Sequence, residues 1–172
     1  MKRSGRTLKQ RLYGLKHLGG YLKRARYFRG HGVHSPYIYN IVRQVFMRRT
    51  PIDDRHDIYD ALIERGIARR RAIELQNLAT HCNYPTFAID NNEPMAMIIA
   101  TLATPAEELA HYAERAREAG ATLVIMHPYH TAERWGVCRK LIESHPSTTV
   151  DNRAYLLIFN NHLPKQRFTL KR

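Results

Sequence analysis

The sequence predicts an α/β protein: a partly parallel sheet of about four strands, ending in a C-terminal antiparallel hairpin and preceded by basic helices. Three observations lead there. Two apolar runs, Thr86–Asp90 and Thr122–Met126, flank about 30 residues of helical texture, the spacing of a βαβ unit with its right-handed crossover. The second run, Thr-Leu-Val-Ile-Met, shows no polar alternation, as expected of a strand covered on both faces. The first 52 residues hold 13 lysines and arginines and no acid, on sequence whose apolar residues recur at helical spacing.

In chain order, Leu8, Leu12, Leu15, Leu18 and Leu22 form one helical stripe, weakened at Gly14 and Gly19-Gly20. A turn at Gly30-His31-Gly32 leads to Ser35-Pro36, a cap residue followed by proline at the first helical position. The helix it opens presents Ile38, Ile41, Val42, Val45 and Phe46 to a core and ends near Arg48-Arg49. Pro51-Ile52-Asp53-Asp54 reads as a linker and new cap, with helix from there to Thr80, interrupted at Gly66. After the Thr86–Asp90 strand, Asn92-Glu93-Pro94 starts a helix through Met95, Ile98, Ile99 and Leu102. Thr104-Pro105-Ala106-Glu107 reads as a capping box whose helix stops at Gly120. Beyond the second strand come a helix over Ala132–Glu143 and β-prone runs at Thr148–Val150, Ala154–Phe159 and Gln166–Lys171, the last two joined by a loop of hairpin length. The division is a basic helical extension over 1–52 and an α/β domain over 53–172.

Composition narrows the function classes. Hydrophobic residues at 44% with 9 Gly and 8 Pro belong to a folded chain. No apolar run approaches the roughly 18–20 residues of a membrane span and no signal-peptide core is present, so a cytoplasmic location is expected. Two cysteines, Cys82 and Cys138, lie far apart without CxxC spacing, which suggests reduced thiols. The net charge of +13 is local, because residues 53–172 balance 15 basic against 15 acidic groups. An anionic partner should therefore meet residues 1–50, with Arg24, Arg26, Arg29, Arg48 and Arg49 as candidate anion-binding residues. Tyr13, Tyr21, Tyr27, Phe28, Tyr37 and Tyr39 interleave with these cations, a pattern that suits unpaired bases; RNA is favoured over DNA because no groove-reading motif is visible. Anionic lipid, a protein partner and a homo-oligomer stay open.

Three stretches carry a family likeness: Arg29-Gly-His-Gly-Val-His-Ser-Pro-Tyr37 with its helix, Leu75 to Leu102, and Leu123 to Arg172 with Trp135, His145-Pro146 and a terminal Pro-Lys-Gln-Arg-Phe-Thr-Leu-Lys. The chain thereby resembles a family of bacterial proteins assigned to the class I S-adenosylmethionine-dependent methyltransferases. The resemblance implies a Rossmann-like sheet and, in an active member, S-adenosylmethionine as cofactor. In such enzymes the loop after the first strand is glycine-rich, since the backbone passes close to the cofactor. Here it reads Asp90-Asn91-Asn92-Glu93-Pro94, and no glycine occurs between Gly66 and Gly120. No acid stands where the family's second strand would end, and His127-Pro128-Tyr129-His130 replaces the paired acids after its fifth. The expectation is a shortened relative lacking the second to fourth strands, so that Thr86–Asp90 and Thr122–Met126 pair directly. Its expected function is a small binding or scaffold protein that has lost cofactor and catalysis. An active methyltransferase with an atypical loop and an RNA-binding accessory protein are the alternatives.

Asp90, Asn91 and Asn92 are the candidate cofactor residues. His127, Tyr129 and His130 are the candidate ligand residues, because open α/β sheets bind ligands at the carboxyl ends of their strands. The two histidines could start a metal site with His111, His145 or Cys138, but the favoured expectation is no metal, with Thr131 capping the next helix. His34-Ser35 could pair a base with a nucleophile, yet Ser35 is better explained as a cap, and no catalytic residue is assigned.

Overall fold

The structure is a computed structural model that describes residues 35–170; the helix expected at Leu8–Leu22 and the Gly30–Gly32 turn lie outside the described residues. Helix α1 (Pro36–Ile41) opens on Ser35, whose Oγ accepts from the Ile38 amide at 3.4 Å, and continues into a π-helical turn over Val42–Phe46. Eleven residues are too few for a helix stable alone in water. Tertiary burial supplies the difference: Ile38, Ile41, Val42, Val45 and Phe46 are buried, each worth about 2 kcal/mol over exposure. Helices α2 (Asp57–Glu64) and α3 (Arg69–His81) follow, separated at Gly66, whose φ of +74° is a conformation glycine adopts without strain.

The remaining elements are β1 (Phe87–Ile89), β2 (Met97–Ala100), α4 (Leu109–Glu118), β3 (Thr122–Met126), α5 (Ala132–Ser144), β4 (Thr149–Asp151), β5 (Tyr155–Ile158) and β6 (Arg167–Thr169). They build one six-stranded mixed sheet in the order β1-β2-β3-β5-β4-β6. The first three strands are parallel, β5 runs antiparallel between β3 and β4, and β6 is parallel to β4. The two-residue period of a strand sorts the core into two layers. Met97, Ile99, Val124, Met126, Tyr155 and Leu157 pack with α1, α2 and α3. Ile98, Ala100, Leu123, Ile125, Leu156 and Ile158 pack with α4 and α5. Helix α1, which carries the C-terminal part of the basic segment, thus belongs to the same core as the sheet.

Several expectations are corrected. The sheet has six strands rather than four. The helix expected through Met95–Leu102 is strand β2: Met-Ile-Ile-Ala is fully buried, and a short run covered on both faces has no period to tell helix from strand. That strand lies between β1 and β3, so the direct pairing of Thr86–Asp90 with Thr122–Met126 does not occur and the deletion that required it is overturned. The C-terminal hairpin joins β4 to β5 through Asn152–Ala154, where Asn152 Oδ1 accepts from the amides of Ala154 and Tyr155 at 3.0 Å each; β6 crosses beyond β5 to pair with β4. The box at Thr104 does not form: α4 begins at Leu109, and the Thr104 hydroxyl donates to Asp90.

Candidate functional site at the carboxyl edge of the sheet

The parallel strands end on one edge, and the chain leaves them in strained turns. Asp90 after β1 has φ of +53°, His127 after β3 has +50°, and Arg153 between β4 and β5 has +71°. A side chain in this left-handed region costs about 1–3 kcal/mol, so the surrounding contacts must over-determine each turn.

At Asp90 those contacts are explicit. Its amide continues the ladder to the Ile99 carbonyl at 2.9 Å. Its Oδ1 accepts from the Thr101 amide at 2.7 Å and the Thr104 hydroxyl at 2.6 Å, and its Oδ2 accepts from the Thr101 hydroxyl at 2.7 Å. The carboxylate therefore fastens the end of β1 to the segment leaving β2. Beneath it lies Arg134 of α5, 3% exposed, whose guanidinium donates to the carbonyls of Thr101 and Thr104 at 2.8 Å and of Met126 at 3.2 Å. Burial pulls this guanidinium below the usual arginine range, and the Cys138 and Asp90 charges act against that shift. One buried cation and one carboxylate thus bind the ends of three strands without leaving net charge.

Above this knot is an open cleft of about 410 Å³, lined by Arg65, Gly66, Ile67, Asp90, Thr101, Leu102, Ala103 and His127. That volume lies in the range of small-ligand sites. Leu102 is 45% exposed and faces solvent with Ile67 at the same cleft.

Beside it, the Tyr129 hydroxyl donates a short hydrogen bond to Asp151, and the Tyr129 ring stacks on Trp135 at 4.3 Å. Further under the first helix layer, Glu74 is fully buried and takes Arg70 Nε at 2.7 Å, Arg71 Nη1 at 2.9 Å and the Tyr155 hydroxyl at 3.0 Å. Burial pushes the Tyr155 phenol well above the usual tyrosine range and pulls Arg71 below that of arginine.

Of the candidate cofactor residues, only Asp90 lines the cleft. Asn91 is exposed and its Oδ1 accepts from the Glu93 amide at 3.1 Å within its own loop; Asn92 is half-buried there. Of the candidate ligand residues, His127 lines the cleft, Tyr129 turns to Asp151, and His130 closes the turn by donating its amide to the His127 carbonyl. Thr131 caps α5, its Oγ1 accepting from the Arg134 amide at 3.1 Å. His111 is exposed, and His145 is spent on the Phe159 carbonyl at 2.7 Å. The Cys138 thiol is buried and pushed up to about 12, and no metal-binding cluster occurs among the described residues. Arg48 and Arg49 are exposed; Arg24, Arg26, Arg29 and His34 lie outside the described residues.

Arg65, Thr101, Thr104 and Arg134 were missed by sequence reasoning. Threonines at 101 and 104 read as turn and cap formers, and only the folded chain reveals that their partner is Asp90, more than ten residues earlier. Fold and site together define an α/β protein with a ligand-sized cleft at the carboxyl edge of its parallel strands. No protein-family model, curated protein or solved structure matches the chain. No helix among the described residues is long and apolar enough to cross a membrane.

Proposed function

We propose that this chain is a methyltransferase-like protein that does not bind S-adenosylmethionine and serves as a binding or scaffold protein. The observation that carries the reading is the fate of Asp90. Its carboxylate, at the end of the first strand and on the wall of the cleft, accepts three internal hydrogen bonds that fasten β1 to the segment leaving β2. The loop that follows supports the same reading, because Asn91 to Pro94 contains no glycine and its backbone cannot approach a ligand as closely. Likeness to the methyltransferase sheet is supported by β2, which lies between β1 and β3 where the family's fourth strand separates its first from its fifth. The residues present do not fit the cofactor, and no methyl-transfer step is assigned to them.

The test is a calorimetric titration of the full chain with S-adenosylmethionine. The expected result is no saturable heat at micromolar to submillimolar concentration. Saturable binding that is abolished by Leu102→Glu, at the mouth of the cleft, would establish the active alternative instead.

A further inference from the structure

The excess charge of the chain lies in its first 52 residues, yet four arginines also crowd residues 65–71. The fold joins the two groups. Arg70 Nη2 donates to the Phe46 carbonyl at 2.6 Å, Asn77 Nδ2 donates to the Thr50 carbonyl at 3.0 Å, and Asn77 Oδ1 accepts from the Ile52 amide at 2.9 Å. Residues 46–52 are therefore laid along α3 between positions 70 and 77, about 10 Å apart at the helical rise. Arg48 and Arg49 project from this stretch. Glu74 neutralises Arg70 and Arg71 from inside, whereas Arg48, Arg49, Arg65 and Arg69 are exposed and enter no ion pair among the described residues. Arg65 in turn lines the open cleft with Gly66, Ile67 and Leu102. Of the exposed acids between the two groups, Asp53 is held at the far end of α3 by the Thr80 hydroxyl and Asp57 is paired with Arg55, which leaves Asp54, Asp60 and Glu64 beside the arginines in sequence.

We propose that Arg48, Arg49, Arg69 and Arg65 form a phosphate track leading to the cleft, and that its occupant is a single strand of nucleic acid. The inference rests on the reading above, in which the cleft holds no S-adenosylmethionine. Arginine is suited to phosphate through its planar fork of donors. The cleft specifies a single strand rather than a duplex: about 410 Å³ between Ile67 and Leu102 accommodates one unstacked nucleotide, which a closed helix does not offer.

The experiment is fluorescence anisotropy of a labelled ten-nucleotide oligouridine with the full chain over a series of salt concentrations. Each phosphate neutralised on a single strand contributes about 0.7 to the slope of log affinity against log salt. Arg65→Gln with Arg69→Gln should lower that slope by about 1.4, and Arg48→Gln with Arg49→Gln should do the same. Arg139→Gln with Lys140→Gln, on α5 beyond the opposite face of the sheet, should leave it unchanged. An oligodeoxyuridine of equal length shares the phosphates and bases and should show the same loss of slope. An unchanged slope in both track variants, an equal loss in the α5 variant, or tighter binding of a blunt RNA duplex than of the single strand would overturn the proposal. So would binding of vesicles rich in phosphatidylserine that depends on the track while oligouridine binding does not. Saturable S-adenosylmethionine binding would overturn the non-catalytic reading without touching these slopes, so the two failures are distinguishable.

Discussion

Replacing Asp90 by alanine should destabilise the fold by about 3 kcal/mol. The Thr101 amide, in a residue 6% exposed, loses its acceptor at 2.7 Å, and a buried unsatisfied donor costs about 1–3 kcal/mol. The Thr101 hydroxyl loses an acceptor at 2.7 Å but lines the open cleft, where water replaces the carboxylate at a cost of about 0.5 kcal/mol; the Thr104 hydroxyl, in a residue 2% exposed, loses one at 2.6 Å at a cost of about 1 kcal/mol. Arg134, 3% exposed, loses the nearby anion that favours its charged form. For a domain of this size the sum lowers the midpoint of thermal unfolding by roughly 10 °C. Urea unfolding followed by far-ultraviolet circular dichroism measures it, with an unchanged m value showing that the cooperative unit is the same. Asp90→Asn retains one acceptor oxygen and should lose about half as much. An Asp90→Ala protein within 0.5 kcal/mol of the parent would show that the carboxylate is not a fastener. The case against a cofactor role for Asp90 would fall with it.

Three further outcomes follow from the core and its buried polar groups. Ile99→Ala, fully buried in the strand between β1 and β3, should cost about 2–5 kcal/mol in the same urea assay, and a loss below about 0.5 kcal/mol would refute its place in the core. Tyr155→Phe removes one of the donors to buried Glu74 and should cost about 1–2 kcal/mol, while Glu74→Gln leaves Arg71 without its carboxylate and should cost about 3 kcal/mol; a double-mutant cycle that shows no coupling would refute the network. The His145 imidazole is held below its ordinary 6.5 by burial, with the Phe159 carbonyl opposing and the Lys165 and Arg117 charges reinforcing the shift. The unfolded chain therefore takes up the proton first, so this contribution is complete above about pH 6.5 and is lost as pH falls below it, with a slope of at most about 1.4 kcal/mol per unit. His145→Gln should remove that component between pH 7 and 5, and an identical pH profile in the variant would exclude it.

What could be read from the sequence was what local chemistry decides. Ser35-Pro36 starts a helix because a hydroxyl and a missing amide solve the same end problem, and Thr131 caps α5 for the same reason. Thr122–Met126 is a strand whose unbroken apolar run requires two covered faces, and it has them. Met97–Ala100 carries a similar signal in four residues, too few to outweigh the helix-start pattern of Asn92-Glu93-Pro94 before it. Its strand state is decided by the open edges of β1 and β3, which no local pattern announces. The knot at Asp90 was hidden for a related reason: threonine is a good cap, and its hydroxyl takes whichever acceptor the fold brings closest.

The basic track was hidden by averaging. Counting residues 53–172 as a unit gives charge neutrality, but Arg65, Arg69, Arg70 and Arg71 fall within seven residues, between Asp53, Asp54, Asp57, Asp60 and Glu64 on one side and Glu74 on the other. Two of the four are neutralised internally by Glu74, which leaves Arg65 and Arg69 as the exposed pair, while Arg70 holds the Phe46 carbonyl at the start of the stretch that carries Arg48 and Arg49. Positive charge in the first turn of α3 also opposes the helix dipole, and that helix has no side-chain cap and no acid there. Such an arrangement is unfavourable in the isolated chain and becomes favourable when an anion binds. The same residues that raise the electrostatic free energy of the free protein are therefore those whose substitution should stabilise it slightly while weakening its hold on a phosphate chain.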